Sequence, residues 1–192
     1  FSGALEAVCD VISWNAVQDR QNRRVYTSIT KNWNAGMGGW YLFSSDMGYQ
    51  VYLASLAGDW QMARANLDMA LSAAAPNGNF TGLLCPNQQT VDHSQPPTLS
   101  YSPLKYYQYS GDRASLLRAY PVLLRANAWW NAYRDGNGNG VLELGTTKTG
   151  HGNHVHTKMA CKEETAMDTS SMYDEAVFHP ETSTLDLEDI GI

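Results

Sequence analysis

The chain reads as an all-α protein, an array of helical hairpins, on three observations. Apolar residues recur at three- and four-residue spacing over several long stretches. Two junctions, "LAGD" at 56–59 and "YSGD" at 109–112, place Gly where one helix should stop and Asp where the next should start. No run alternates apolar and polar residues for long enough to mark a strand. Gly accepts the left-handed backbone that closes a helix, and an Asp side chain caps the free N–H groups of its successor. Two such junctions about fifty residues apart predict repeated hairpins, a local signal that a bundle would share.

The elements follow in order. "ALEAVCDVISWNAV" sets Leu5, Val8 and Ile12 on one face, as an amphipathic helix requires. "SSDMGYQVYLASLAGD" opens with Ser and Asp, which suit a helix N-terminus, and ends at Gly58. Asp59 then caps "WQMARANLDMALSAAA", which stops at "PNGN". "PTLSYSPLKYYQYSGD" and "RASLLRAYPVLLRANAWWNAYRD" repeat the arrangement, and Pro121 predicts a kink or break because it removes one helical N–H. The connections at 30–40, 76–96 and 135–168 are long and polar, the places where a helical scaffold carries its site.

Composition narrows the function classes. The 192 residues suffice for one domain with a sizeable core. Hydrophobic residues make up 43% and charged residues 17%, a globular balance. A net charge of −6, with no basic cluster larger than that at 20–24, argues against nucleic acid or an anionic membrane as partner. No apolar run reaches the roughly 18 residues of a membrane span. Three widely spaced cysteines (Cys9, Cys85, Cys161) form neither a disulfide framework nor a zinc pattern. "NFT" at Asn79 is a possible glycosylation acceptor, which slightly favours the secretory pathway without fixing a compartment. Six Trp and eleven Tyr supply flat faces of the kind that pack cores and also stack on sugar rings.

Four motifs carry candidate chemistry. In "RDGNGNGVLELG", Asp135, Asn137 and Asn139 alternate with glycines and are followed by Val141 and Glu143. That spacing turns side-chain oxygens inward, and the Val141 carbonyl and Glu143 carboxylate would complete an oxygen shell for a structural calcium ion. Thr146 stands where an EF-hand has its bidentate Glu, so the loop is not an EF-hand; the bland alternative is a plain Asn-Gly turn. "HGNHVH" (His151, His154, His156) has loop composition rather than the helical spacing of a zinc site. "DHSQPP" sets His93, Ser94 and Gln95 before two prolines that stiffen the chain. "EETAMDTSSMYDEA" packs five carboxylates, Glu163, Glu164, Asp168, Asp174 and Glu175, into fourteen residues. On composition alone it is a solvated acidic loop.

The order of "SWNAVQDRQNRRVYTSITKNWNAGMGGWYLFSSDMGYQ", "PN" at 86–87, "HSQPP" and "ETAMDTSSMYDEAVFHPET" resembles the catalytic domain of glycoside hydrolase family 63, the processing α-glucosidases, and more distantly the trehalases. The likeness implies an (α/α)6 toroid and hydrolysis of α-glucosidic bonds of oligosaccharides with inversion. It implies that Asp168 is the general acid and that Glu164, the motif's leading Glu, shapes the loop and borders the substrate. Ala166 stands where the family usually has Gly, and Thr169 where Asn is common. The resemblance also implies substrate contacts from Trp40, Ser45, Asp46, Asn87, His93 and Gln95, with Ser45 replacing a Trp and His93 an Arg. It likewise implies a calcium site at 135–143.

Inversion requires two carboxyl groups roughly 6.5–9.5 Å apart, one giving a proton to the leaving oxygen and one activating water. A general acid keeps its proton through burial or a neighbouring carboxylate, and Glu164 is the neighbour at hand. The family's base is a Glu in later hairpins, and neither Glu181 nor Glu188 lies in a matching context. Six hairpins at about 55–60 residues each need on the order of 350 residues. Residues 1–192 are therefore expected to be about half a toroid, cut at both ends, completed by the rest of the polypeptide or a companion chain and inactive alone. Two other readings stand beside it: a non-catalytic carbohydrate-binding relative, and a purely structural calcium-stabilised helical domain.

Overall fold

A computed structural model describes residues 3–29, 40–86, 88–89, 94–147 and 155–187. They form six α-helices and short strands, in two compact units. The first unit takes residues 1–73, 83–89 and 97–122, the second 74–82, 90–96 and 123–192.

In the first unit, helix α1 (Ala4–Asn15) leads into a hairpin of β1 (Ala16–Asp19) and β2 (Arg24–Thr27). Strand β3 (Leu42–Phe43) pairs with β4 (Leu83–Cys85), and β4 with β5 (Gln88–Gln89). The antiparallel pair α2 (Ser44–Leu56) and α3 (Trp60–Ser72) forms the centre, with α4 (Ser102–Ser110) packed on α2. Ile12, Val51, Ala54, Ala63, Leu67 and Tyr106 make its core. Burying a Val or Leu side chain contributes about 1.5–3 kcal/mol, so this cluster holds the helices together. Asn66 adds direction: its Oδ1 accepts from the Thr27 amide at 2.7 Å and its Nδ2 donates to Thr27 Oγ1 at 3.0 Å, pinning α3 to β2. Gly48 lets α4 approach, since a Cβ there would lie 2.8 Å from Ser102 Oγ.

Both hairpin junctions match their sequence signals. Gly58 and Gly111 have φ of 77° and 72°. Asp59 accepts from the Met62 amide at 2.9 Å, and Asp112 accepts from the Ser115 amide at 3.1 Å and its hydroxyl at 2.6 Å. Helix α5 (Arg113–Tyr133) runs unbroken through Pro121, so of the expected kink or break the break does not occur. Proline's φ is already helical, and the carbonyl that loses its partner belongs to Leu117, on an exposed side where water can serve. The strands were hidden for a simple reason: each spans only two to four residues, too few for alternation to register.

The second unit contains the C-terminal part of α5, strand β6 (Leu144–Gly145), helix α6 (Lys158–Glu163), and strands β7 (Val177–His179) and β8 (Thr184–Asp186). The sheet order is β6-β8-β7, all antiparallel. Thr157 caps α6 by accepting from the Ala160 amide. Cys161, Tyr173, Ala176 and Leu185 form the core beneath. Burial, more than the nearby Glu164 charge, pushes the Cys161 thiol up to about 12, so it packs as an inert apolar group. Asn79 is 2% exposed and Thr81 fully buried, which removes "NFT" as a glycosylation acceptor in the folded chain. Among the described residues no helix is long and apolar enough to cross a membrane.

Candidate functional site

The second unit places the acid run on a loop with fixed entry and exit. After α6 the chain tightens through the Thr165 amide onto the Lys162 carbonyl and the Ala166 amide onto the Glu163 carbonyl. The Met167 amide donates to Thr165 Oγ1 at 2.8 Å, and the Ser170 amide to the Met167 carbonyl at 2.9 Å. Ala166 sits at φ 58°, a left-handed conformation that costs a non-glycine residue roughly 1–2 kcal/mol and explains why glycine suits this position. Asp168 lies between these tied segments, half-buried, and no described group hydrogen-bonds its carboxylate.

Glu164 behaves differently. Its side chain is fully buried and accepts four hydrogen bonds. Arg134 Nε donates to Oε2 at 2.7 Å and Arg134 Nη2 to Oε1 at 2.8 Å. The Ser94 amide reaches Oε1 at 2.8 Å and the Gly145 amide reaches Oε2 at 2.7 Å. A carboxylate has about four lone-pair sites, so all are committed to the polypeptide. The charge of Glu164 is met by the Arg134 guanidinium. Its oxygens are thus spent on holding the segments around the start of the acid loop.

Other acids of the run serve locally. Lys162 Nζ pairs with Asp174 Oδ1 at 3.0 Å, and Glu175 is exposed. Gln95 is buried, next to the Ser94 amide that holds Glu164. Asn87 and His93 lie outside the described residues, as do His151 and His154. His156 Nδ1 is 2.7 Å from Ser183 Oγ, and among the described residues no three His, Cys, Asp or Glu side chains gather as for a metal.

Residues 135–143 form a closed loop. The Glu143 amide donates to the Arg134 carbonyl at 2.6 Å, and the Gly136 amide donates to Glu143 Oε2. Asn137 Oδ1 accepts from the Asn139 amide, Asn139 Oδ1 from the Val141 amide, and Asp135 Oδ2 from the Gly140 amide. Among the described residues, the buried carboxylate oxygens Asp135 Oδ1 and Glu143 Oε1 have no donor. Buried anionic oxygens without partners are costly, and a hard cation would satisfy both.

Trp40, Ser45 and Asp46 belong to the first unit. Trp40 is 46% exposed with φ 57°, and its carbonyl accepts from the Tyr26 hydroxyl at 2.6 Å. Ser45 is buried. Asp46, in the first turn of α2, is half-buried; desolvation raises its pKa above the usual carboxylate value, against the lowering effect of hydrogen bonds from Ser45 and its own backbone. Arg134 had no place among the sequence candidates. Its signal was slight: a lone Arg at the end of the "WWNAY" helix turn, just before a polar loop.

This arrangement of helical hairpins has a structural counterpart. The crystal structure of an uncharacterized conserved protein from Thermus thermophilus matches with a TM-score of 0.62 at 17% identity, over 89% of this chain and 39% of that one. The present chain thus spans well under half the length of that protein, with which it shares a fold. The class is settled more firmly by residues 39–186, which match the model of the mannosylglycerate hydrolase MGH1-like glycoside hydrolase domain. The chain belongs to that family of glycoside hydrolase domains.

Proposed function

We propose that the chain contributes the general-acid half of an inverting α-glycosidase, acting on α-glucosidic linkages of oligosaccharides in the manner of family 63 and built on an (α/α)6 toroid that other parts of the protein complete. One observation carries this reading. Within the family match, Asp168 has its backbone tied on both sides while its carboxylate is left without a protein partner among the described residues. A carboxyl that is held but not consumed is what proton delivery to a leaving oxygen needs. Trp40, Ser45, Asp46, Asn87, His93 and Gln95 remain the proposed substrate contacts on the strength of the family resemblance, and Glu164 would anchor the loop. The base would be a Glu from later hairpins.

The family's name favours a second substrate, mannosylglycerate. The test is hydrolysis by the complete protein of maltose, nigerose, kojibiose and α-mannosylglycerate, with the first-formed anomer read by NMR. Release of the β-anomer from an α-linked substrate is the expected result. The α-anomer as first product would overturn inversion, and no turnover with measurable sugar binding would favour the non-catalytic relative.

Calcium is the proposed ion for the 135–143 loop, held by Asp135 and Glu143 with Asn137, Asn139 and the Val141 carbonyl. It would supply charge compensation and pin the end of α5. An ion at a hundredfold excess over its Kd stabilises by about 2.7 kcal/mol. For a chain of this size that is a shift of roughly 5–10 °C. EDTA should lower the melting temperature by about this much and calcium should restore it; an unchanged melt would remove the site.

A further inference from the structure

We propose that Arg134 is a positioning residue for the hydrolysis: through Glu164 it fixes the entry of the acid loop, and so the aim of Asp168, together with the Ser94–Gln95 segment. The proposal rests on the glycosidase reading above and deepens it.

The Arg134 side chain is 2% exposed and makes a two-pronged contact with Glu164. Its third nitrogen, Nη1, donates to the Tyr133 carbonyl at 3.0 Å, and the guanidinium lies 4.4 Å from the centre of the Trp129 ring. Gly145 leaves the room: a Cβ there would come within 2.8–2.9 Å of Nε, Cδ and Cζ. The group is thus held on every side. A buried ion pair is a poor device for stability, because desolvating two charges offsets most of their attraction. What the planar fork offers is a fixed geometry.

That geometry is shared by four places in the chain. Glu164 opens the acid loop, Ser94 precedes Gln95, and Arg134 and Gly145 flank the 135–143 loop on either side. Three residues separate Glu164 from Asp168, and turn hydrogen bonds tie the backbone between them. A displacement of the Glu164 carboxylate is therefore passed to Asp168 along a short, constrained path. Misplacing a catalytic group by about 1 Å can cost roughly a hundredfold in rate.

The experiment compares two substitutions in the complete protein, with turnover measured on whichever of maltose, nigerose, kojibiose or α-mannosylglycerate the unaltered protein hydrolyses. Arg134→Lys keeps the charge and loses the fork. Gly145→Ala keeps both charges and pushes the guanidinium aside. The expected result in each is a fall in kcat of about ten- to a hundredfold with KM within about twofold. The alkaline limb of the kcat–pH profile, where the general acid loses its proton, should also move, because the environment of the acid has changed. Unaltered kcat and pH profile in a variant that still melts cooperatively would overturn the proposal, as would a rise in KM alone or a loss of rate no larger than the loss of folded protein. If Arg134→Lys does not fold, Gly145→Ala decides by the same criteria. Absence of turnover in the unaltered protein would instead fail the glycosidase reading itself.

Discussion

Asp168→Asn in the complete protein should lower kcat by about 10²–10⁴-fold while leaving the melting temperature within a few degrees. The rate loss follows from removing the carboxyl proposed to protonate the leaving oxygen. The stability argument is structural: the carboxylate is half-buried and bonded to no described group, so its replacement breaks no hydrogen bond among the described residues. Two comparisons make the result specific. Glu175→Gln changes an exposed acid in the same run and should leave turnover unaltered. An α-glycosyl fluoride, whose leaving group needs little protonation, should be hydrolysed by Asp168→Asn far closer to the wild-type rate than a disaccharide is. Equal hydrolysis of the disaccharide by variant and wild type would remove Asp168 as the acid and favour the structural reading of the domain.

The parts that could be read from the chain were those where a local rule acts alone. Gly58 with Asp59 and Gly111 with Asp112 mark the hairpin turns because a left-handed Gly and an Asx cap are fixed by neighbours within a few residues. The short sheets were not readable, since two to four residues leave no period to detect and their pairing is set by partners tens of residues away. Helix α6 was likewise lost inside a polar stretch, because six residues give less than two turns of pattern and only its Thr157 cap remains as a clue. The centre of the second unit shows the same limit more sharply. Glu164 was singled out as one acid among five, but the groups that hold it come from residues 94, 134 and 145. A buried carboxylate demands such partners, yet nothing in the spacing says which Arg supplies them.

Arg134→Met should destabilise the protein by about 3–5 kcal/mol, the cost of leaving a buried carboxylate without its counter-ion. Met preserves most of the packing on Trp129, so the loss reports charge and hydrogen bonding rather than a cavity. Glu164 would retain only the Ser94 and Gly145 amides as donors, two of the four it has now. Adding Glu164→Gln to Arg134→Met removes the stranded charge and should restore part of the loss, a coupling of roughly 0.5–3 kcal/mol in a double-mutant cycle read from urea midpoints at neutral pH. Recovery should stay incomplete. A Gln offers one oxygen where the carboxylate offered two, so one of the two amides would lose its acceptor at about 1–3 kcal/mol. Strictly additive losses in the cycle would mean that the two side chains do not act as a pair. A double variant as stable as wild type would mean that the Ser94 and Gly145 amides find other acceptors and that the four-donor arrangement is not what holds the loop.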